Sequence, residues 1–186
     1  DGPATDTGGL ASFFGRYVGA GRNFNSRQAA LQHLQQHKLA VFTDASYIEQ
    51  LQQMLADLPV ASQQFASHAN AIADLDATVV LLVEGPNFQQ QQTLCQQLRE
   101  RGIVVFYCAL GSGSVCIGPL FDGKLSVSYQ SVQERIRPDL QAGLQGAEQT
   151  FWLGAICHEL TLYLAKVSQQ TVFNVCKKYG LGQQVE

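Results

Sequence analysis

Charge is scarce in this chain. Only 15% of its 186 residues are charged, twelve basic against fifteen acidic, for a net charge of −3. An ordinary domain carries about 25%. No domain-wide positive field exists to hold a polyanion, which disfavours nucleic-acid binding. Long apolar runs are missing as well. None reaches the ~18–20 residues that span a bilayer, and no secretory signal opens the chain, so no membrane partner is expected. Methionine occurs once, as Met54, and the sequence therefore reads as a fragment or a processed form. The five cysteines, Cys95, Cys108, Cys116, Cys157 and Cys176, are odd in number and include no C-x-x-C pair. Four sit in apolar runs, which predicts small buried thiols in a reducing compartment, the cytoplasm. No G-x-S-x-G, Walker loop or H-E-x-x-H is present.

What is present is apolar and amide. Apolar residues make up 46% of the chain, and 24 positions are glutamine. The length suggests a single domain over residues 13–186, preceded by a loose Gly/Thr/Asp/Pro segment over 1–12. Phe13 to Val18 reads as a first strand ending in Gly19-Ala20-Gly21. Asn25 or Ser26 then caps a helix over Arg27 to Lys38. Leu39 to Thr43 is a short apolar strand ending at Asp44. Ser46-Tyr47-Ile48-Glu49 has the form of a capping box, and Ile48, Leu51, Met54 or Leu55, and Leu58 follow at helical spacing. Val60 to Ile72 is ambiguous and holds at most one edge strand.

Thr78 to Val83 is continuous and β-branched or leucine, the pattern of a strand covered on both faces. A glutamine-rich helix over Asn87 to Glu100 turns Phe88, Leu94, Cys95 and Leu98 inward and stops at Gly102. Ile103 to Leu110 and Val115 to Leu120 flank a glycine turn and read as a hairpin. After a mixed stretch over Ser126 to Arg137 come a long apolar helix, Ala147 to Val167, and a last strand, Thr171 to Cys176. Strands alternating with helices predict an α/β Rossmann-like sandwich with a mainly parallel sheet.

Little in the pattern carries chemistry. Gly19 and Gly21 precede a helix, and Asp44 lies near the ~20-residue spacing of a ribose acid, so these three are the candidate cofactor residues. Phe24 stands where a third glycine belongs, and its ring would block close phosphate approach. His33 and His37 are spaced i, i+4, which suits zinc, but no third ligand is evident among the surrounding glutamines. Cys157 and His158 are adjacent on a helix and point about 100° apart, so they do not form a nucleophile and base. Asp74 and Asp76 sit in a polar turn. No catalytic residue is assigned.

One stretch carries more. Leu75-Asp76-Ala77-Thr78 leads into the apolar strand and a helix. Gly102-Ile103-Val104-Val105-Phe106-Tyr107 follows, then Val115-Cys116-Ile117-Gly118-Pro119-Leu120-Phe121, then Ser128-Tyr129-Gln130-Ser131-Val132-Gln133-Glu134-Arg135. This order resembles the ThiF-like, ubiquitin-activating-enzyme-like proteins that work with YcaO cyclodehydratases in making thiazole- and oxazole-modified peptides. The resemblance extends over most of residues 13–182. It implies a ThiF-like fold with a β-hairpin extension. It further implies a non-catalytic scaffold that binds a ribosomal precursor peptide and presents it to a YcaO-type enzyme, with a homodimer among the expected assemblies. The family's first C-x-x-C falls here on Ser128 and Ser131, which are poor zinc ligands, so no metal and no cofactor are expected. Two alternatives stay open: a divergent adenylyltransferase or NAD-binding enzyme using Gly19, Gly21 and Asp44, and an interaction module of the same fold. Against the first, the charge clamp that ATP activation of a carboxylate needs is not in register.

Overall fold

The computed structural model describes residues 27–67, 72–112, 114–122, 128–136, 140, 142–166 and 177–180. The elements along the chain are α1 (Arg27–Leu34), β1 (Lys38–Thr43), α2 (Ala45–Leu55), β2 (Ser62–Ala66), β3 (Val79–Glu84) and α3 (Gln92–Glu100). They continue with β4 (Val104–Gly111), β5 (Ser114–Phe121), α4 (Tyr129–Ile136), α5 (Gly146–Leu164) and β6 (Lys177–Gly180). The six strands form one sheet in the order β2-β1-β3-β4-β5-β6. β2, β1, β3 and β4 run parallel. β5 pairs antiparallel with β4, and β6 antiparallel with β5. This is the Rossmann-like α/β fold with the expected hairpin extension.

The continuous apolar strands follow from burial on both faces. Val79, Leu81 and Val83 of β3 pack with Tyr47, Leu51 and Leu55 of α2 and with Leu153, Ile156 and Leu160 of α5. The alternate residues, Val80 and Leu82, pack with Leu94 and Leu98 of α3 and with Tyr129 and Val132 of α4. Each face thus has its own core, and the strand period of two divides one apolar run between them. β2, with the polar sequence Ser-Gln-Gln-Phe-Ala, is an edge strand.

The boundaries differ from expectation in ways that have local causes. Asp44, not Ser46, caps α2: its Oδ1 accepts from the Ser46 main-chain N at 3.0 Å and from Ser46 Oγ at 2.9 Å. α3 begins at Gln92 rather than Asn87. Gly85 and Phe88 exchange main-chain hydrogen bonds, and the Asn87 and Gln91 N–H groups are held by carboxylates, which leaves 85–91 a turn. The stop at Gly102 is as read, with φ of +71° suited to glycine. The ambiguous stretch before Arg137 contains α4. Residues 1–12, Phe13 to Val18, Gly19, Gly21 and Thr171 to Cys176 lie outside the described residues. Cys95, Cys108 and Cys157 are buried free thiols. Cys116 corrects the expectation of five free thiols: on β5 it is disulfide-bonded, a pairing made by the fold and not visible in spacing along the chain. No helix among the described residues is long and apolar enough to cross a membrane.

Candidate functional site

In an open α/β sheet, ligands bind beyond the carboxyl ends of the strands where the winding reverses. Here the chain leaves β1 through α2 on one face and β3 through α3 on the other, so the reversal lies between β1 and β3. Asp44 follows β1, and Glu84-Gly85-Pro86-Asn87 closes β3. β1 pairs directly with β3 from Leu39–Val79 to Thr43–Val83. A dinucleotide unit places its ribose acid one strand farther out. Asp44 instead follows the strand at the reversal itself, where a phosphate loop would stand.

Asp44 is 2% exposed. Besides Ser46, it accepts from the Asn87 main-chain N through Oδ2 at 2.7 Å. Burial alone would raise its pKa, but the hydrogen bonds from Ser46 and Asn87 outweigh that and hold it below the ordinary value. The carboxylate therefore ties the end of β1 to the turn after β3. The Tyr47 ring fills the space beside it. Burial, with the Asp44 charge second, pushes the Tyr47 phenol up to about 12. A Cβ built on Gly85 would lie 2.7 Å from Tyr47 Cε2 and 3.1 Å from Asp44 Cβ. One built on Gly143 would lie 3.0 Å from the Tyr47 hydroxyl and from Pro86 Cγ. Among the described residues, Tyr47, Asp44 and Pro86 leave no room for a methyl group at Gly85 or Gly143. Gly85→Ala is accordingly expected to lower stability by about 2 kcal/mol, an overpacking cost. Gly154→Ala, on α5 with nothing within 4 Å of the new methyl, is expected to raise it by about 0.5–1 kcal/mol. Urea midpoints of the two variants check both signs.

The second carboxylate is Glu84, fully buried. Its Oε1 accepts from the Gln91 main-chain N at 2.9 Å and from the Tyr129 hydroxyl. Its Oε2 accepts from the Tyr107 hydroxyl at 2.8 Å and from Gln133 Nε2 at 3.1 Å. Gln133 Nε2 also donates to the Tyr107 oxygen at 2.9 Å. Burial, with the charge of Glu84 second, raises both phenols well above their ordinary range. This network joins β3, β4, α3 and α4. Above it opens a cavity of about 420 Å³ lined by Gln90, Gln92, Thr93, Tyr129, Gln133 and their neighbours. A second cavity, about 390 Å³, lies along β1 and β2 between Phe42, Phe65, Ala66 and Leu75. Sequence reasoning missed Glu84, although an acidic residue directly after a fully apolar strand was a signal.

Ser128 and Ser131 are not idle. Ser128 Oγ accepts from the Ser131 main-chain N at 3.1 Å and lies 2.8 Å from Ser131 Oγ, so Ser128 caps α4. Asp74 lies beside the β2 cavity, whereas Asp76 pairs with Lys38 at 2.7 Å on the surface. Cys157 is buried on α5, and burial pushes its thiol up to about 12. Among the described residues no group of three or more metal-ligating side chains occurs.

No protein family matches the sequence, and no curated protein does. Solved structures do match in fold. A heterocyclase in complex with substrate and cofactor superposes with a TM-score of 0.64 at 14% identity, over 81% of this chain and 23% of that one. PaaA gives 0.64 at 9%, over 98% and 83%. MccB of E. coli, solved with AMPCPP and MccA, gives 0.62 at 8%, over 97% and 74%. The fold is ThiF-like. This chain spans about a quarter of the length of the heterocyclases it resembles. At these identities the likeness shows the fold alone.

Proposed function

We propose that this chain is a non-catalytic ThiF-like scaffold that binds a ribosomal precursor peptide, or a partner subunit, and presents the peptide to a YcaO-type cyclodehydratase for azoline formation. The observation that carries the reading is the packed crevice at the β1–β3 reversal. There Tyr47 is buried against Gly85 and Gly143, and Asp44 puts a buried anion at the end of β1, which would repel a phosphate. Asp44 is read as a cap and tie, not as a ribose acid. The solved neighbours, a heterocyclase held with substrate and cofactor and MccB held with MccA and AMPCPP, support a macromolecular or substrate ligand without excluding a nucleotide. The outer edge of β2 supports a mode of holding it. Among the described residues no strand pairs with the outer side of β2, and a strand without charge or proline suits an extended peptide, whose side chain the adjoining cavity would take.

The cytoplasm is the proposed setting, on the three buried free thiols and against the disulfide at Cys116. A homodimer is part of the same reading. Phe151 on α5 is 66% exposed and meets Trp152 edge-on at 5.1 Å, while Leu153, Ile156, Cys157, Leu160, Leu162 and Leu164 of that helix are buried.

The test is a thermal-shift scan with ATP–magnesium, NAD and NADP near millimolar concentration. A ligand at ~100 times its Kd adds about 2.7 kcal/mol of stability and moves the melting point visibly. No shift is expected with any of the three. A clear shift that Asp44→Ala abolishes would overturn the scaffold reading in favour of the nucleotide-binding alternative.

A further inference from the structure

His33 and His37 lie far from the α4 corner and from the β1–β3 crevice, and nothing in the scaffold reading uses them. The sequence places them four residues apart among glutamines, as a solvated face. The fold does more with them. His33 is in the last turn of α1, and His37 follows a tight turn in which Gln36 and His37 donate to His33 and Leu34. That turn brings Nε2 of the two rings within 3.4 Å of one another, the rings edge-on with centroids 5.0 Å apart.

Two nitrogens bound to one zinc at 2.0–2.1 Å with a tetrahedral angle stand about 3.3 Å apart. The rings are also held from behind. His37 donates to the main chain of Leu164, and His33 to the side chain of Gln36. A neutral imidazole has one proton to give. At 3.4 Å the two Nε2 atoms stand within hydrogen-bond distance, the tautomer setting which would donate, and an entering ion would take the place of the proton between them. Ligating histidines are ordinarily fixed in this way, by a hydrogen bond from the other ring nitrogen. Burial, with neighbouring positive charge second or third, keeps both rings below their ordinary pKa and so neutral near pH 7. Lys166 is the charge that opposes a cation here.

We propose that His33 and His37 form a two-nitrogen site for a divalent transition ion of the zinc class, its remaining positions filled by water. The ion would clip the end of α1 to the entrance of β1.

The test is calorimetric titration of the full chain, stripped with a chelator, with zinc chloride at pH 7.5. One zinc per chain is expected. Binding should be lost in both His33→Ala and His37→Gln, each with an unchanged circular dichroism spectrum. Affinity should fall by about tenfold or more between pH 7.5 and 5.5, because protons compete for the ligating nitrogens. Stoichiometry below one half, absence of binding, or binding that persists in both folded variants would each overturn the proposal. Because no nucleotide or peptide enters the titration, its outcome is independent of the scaffold reading.

Discussion

Replacement of Glu84 by alanine is expected to lower stability by about 4–5 kcal/mol. The side chain is fully buried and accepts four hydrogen bonds, from the Gln91 main chain, Tyr107, Tyr129 and Gln133. Alanine leaves all four donors facing an apolar gap. Each stranded donor costs about 1–3 kcal/mol, reduced where a water enters or where Gln133 keeps its bond to Tyr107. Glu84→Gln tests the polar part separately. The amide keeps the shape but turns one acceptor into an NH2 that meets two donors, so about 2 kcal/mol is expected. Guanidinium midpoints measured with equal slopes decide the matter. A loss under about 1 kcal/mol for alanine would show that the network does not hold the corner together.

That corner is also where the resemblance places zinc cysteines and this chain has Ser128 and Ser131. The physical work left to be done there is to keep α4 on the sheet. Two α4 side chains, Tyr129 and Gln133, reach the same carboxylate as Tyr107 of β4 and the Gln91 main chain just before α3. Tyr107, Tyr129 and Phe121 add ring contacts at 5.8 to 6.4 Å. A buried acceptor on β3 with four donors from β4, α4 and the turn before α3 is a cross-link in the same sense as a metal, and it needs no thiolate.

Why the fold was legible and the network was not has one cause. The strands announce themselves locally, because a sheet covered on both faces requires unbroken apolar runs such as Val79–Val83, and the period of two needs no partner to be read. β2 was ambiguous because an edge strand with one half-solvated face is free to be polar, as Gln63 and Gln64 are. Asp44 and Ser46 are both good caps. Which one acts depends on where β1 stops, and that is set by its pairing with β3. Glu84, Tyr107, Tyr129 and Gln133 span 49 positions, and no spacing in the chain ties them. The disulfide at Cys116 was hidden for the same reason. The crevice's packing likewise depends on Gly143 and Pro86 meeting Tyr47 from distant loops.

Alkali is expected to unfold this protein far more readily than its modest charge suggests. Burial raises the thiols of Cys95, Cys108 and Cys157 from about 9, that of Cys157 up to about 12. The phenols of Tyr47, Tyr107, Tyr129 and Tyr163 are raised from about 10, that of Tyr47 up to about 12, again chiefly by burial. Each folded pKa lies above its unfolded value. Below pH 9 both states hold these protons and stability does not depend on them. Above pH 9 the unfolded chain releases protons that the native state retains, so the native state binds more, and stability falls as pH rises. One pH unit beyond an unfolded pKa costs about 1.4 kcal/mol per group. Three thiols therefore remove about 4 kcal/mol by pH 10, and the phenols steepen the loss beyond it. A domain of this size has only about 5–15 kcal/mol in all. Denaturant midpoints at pH 8, 9, 10 and 10.5 give the curve, and Cys157→Ala should flatten the first part of it by about a third. A midpoint that stays level from pH 8 to 10 would mean that these thiols are open to water in the folded protein, against the two closed cores described above.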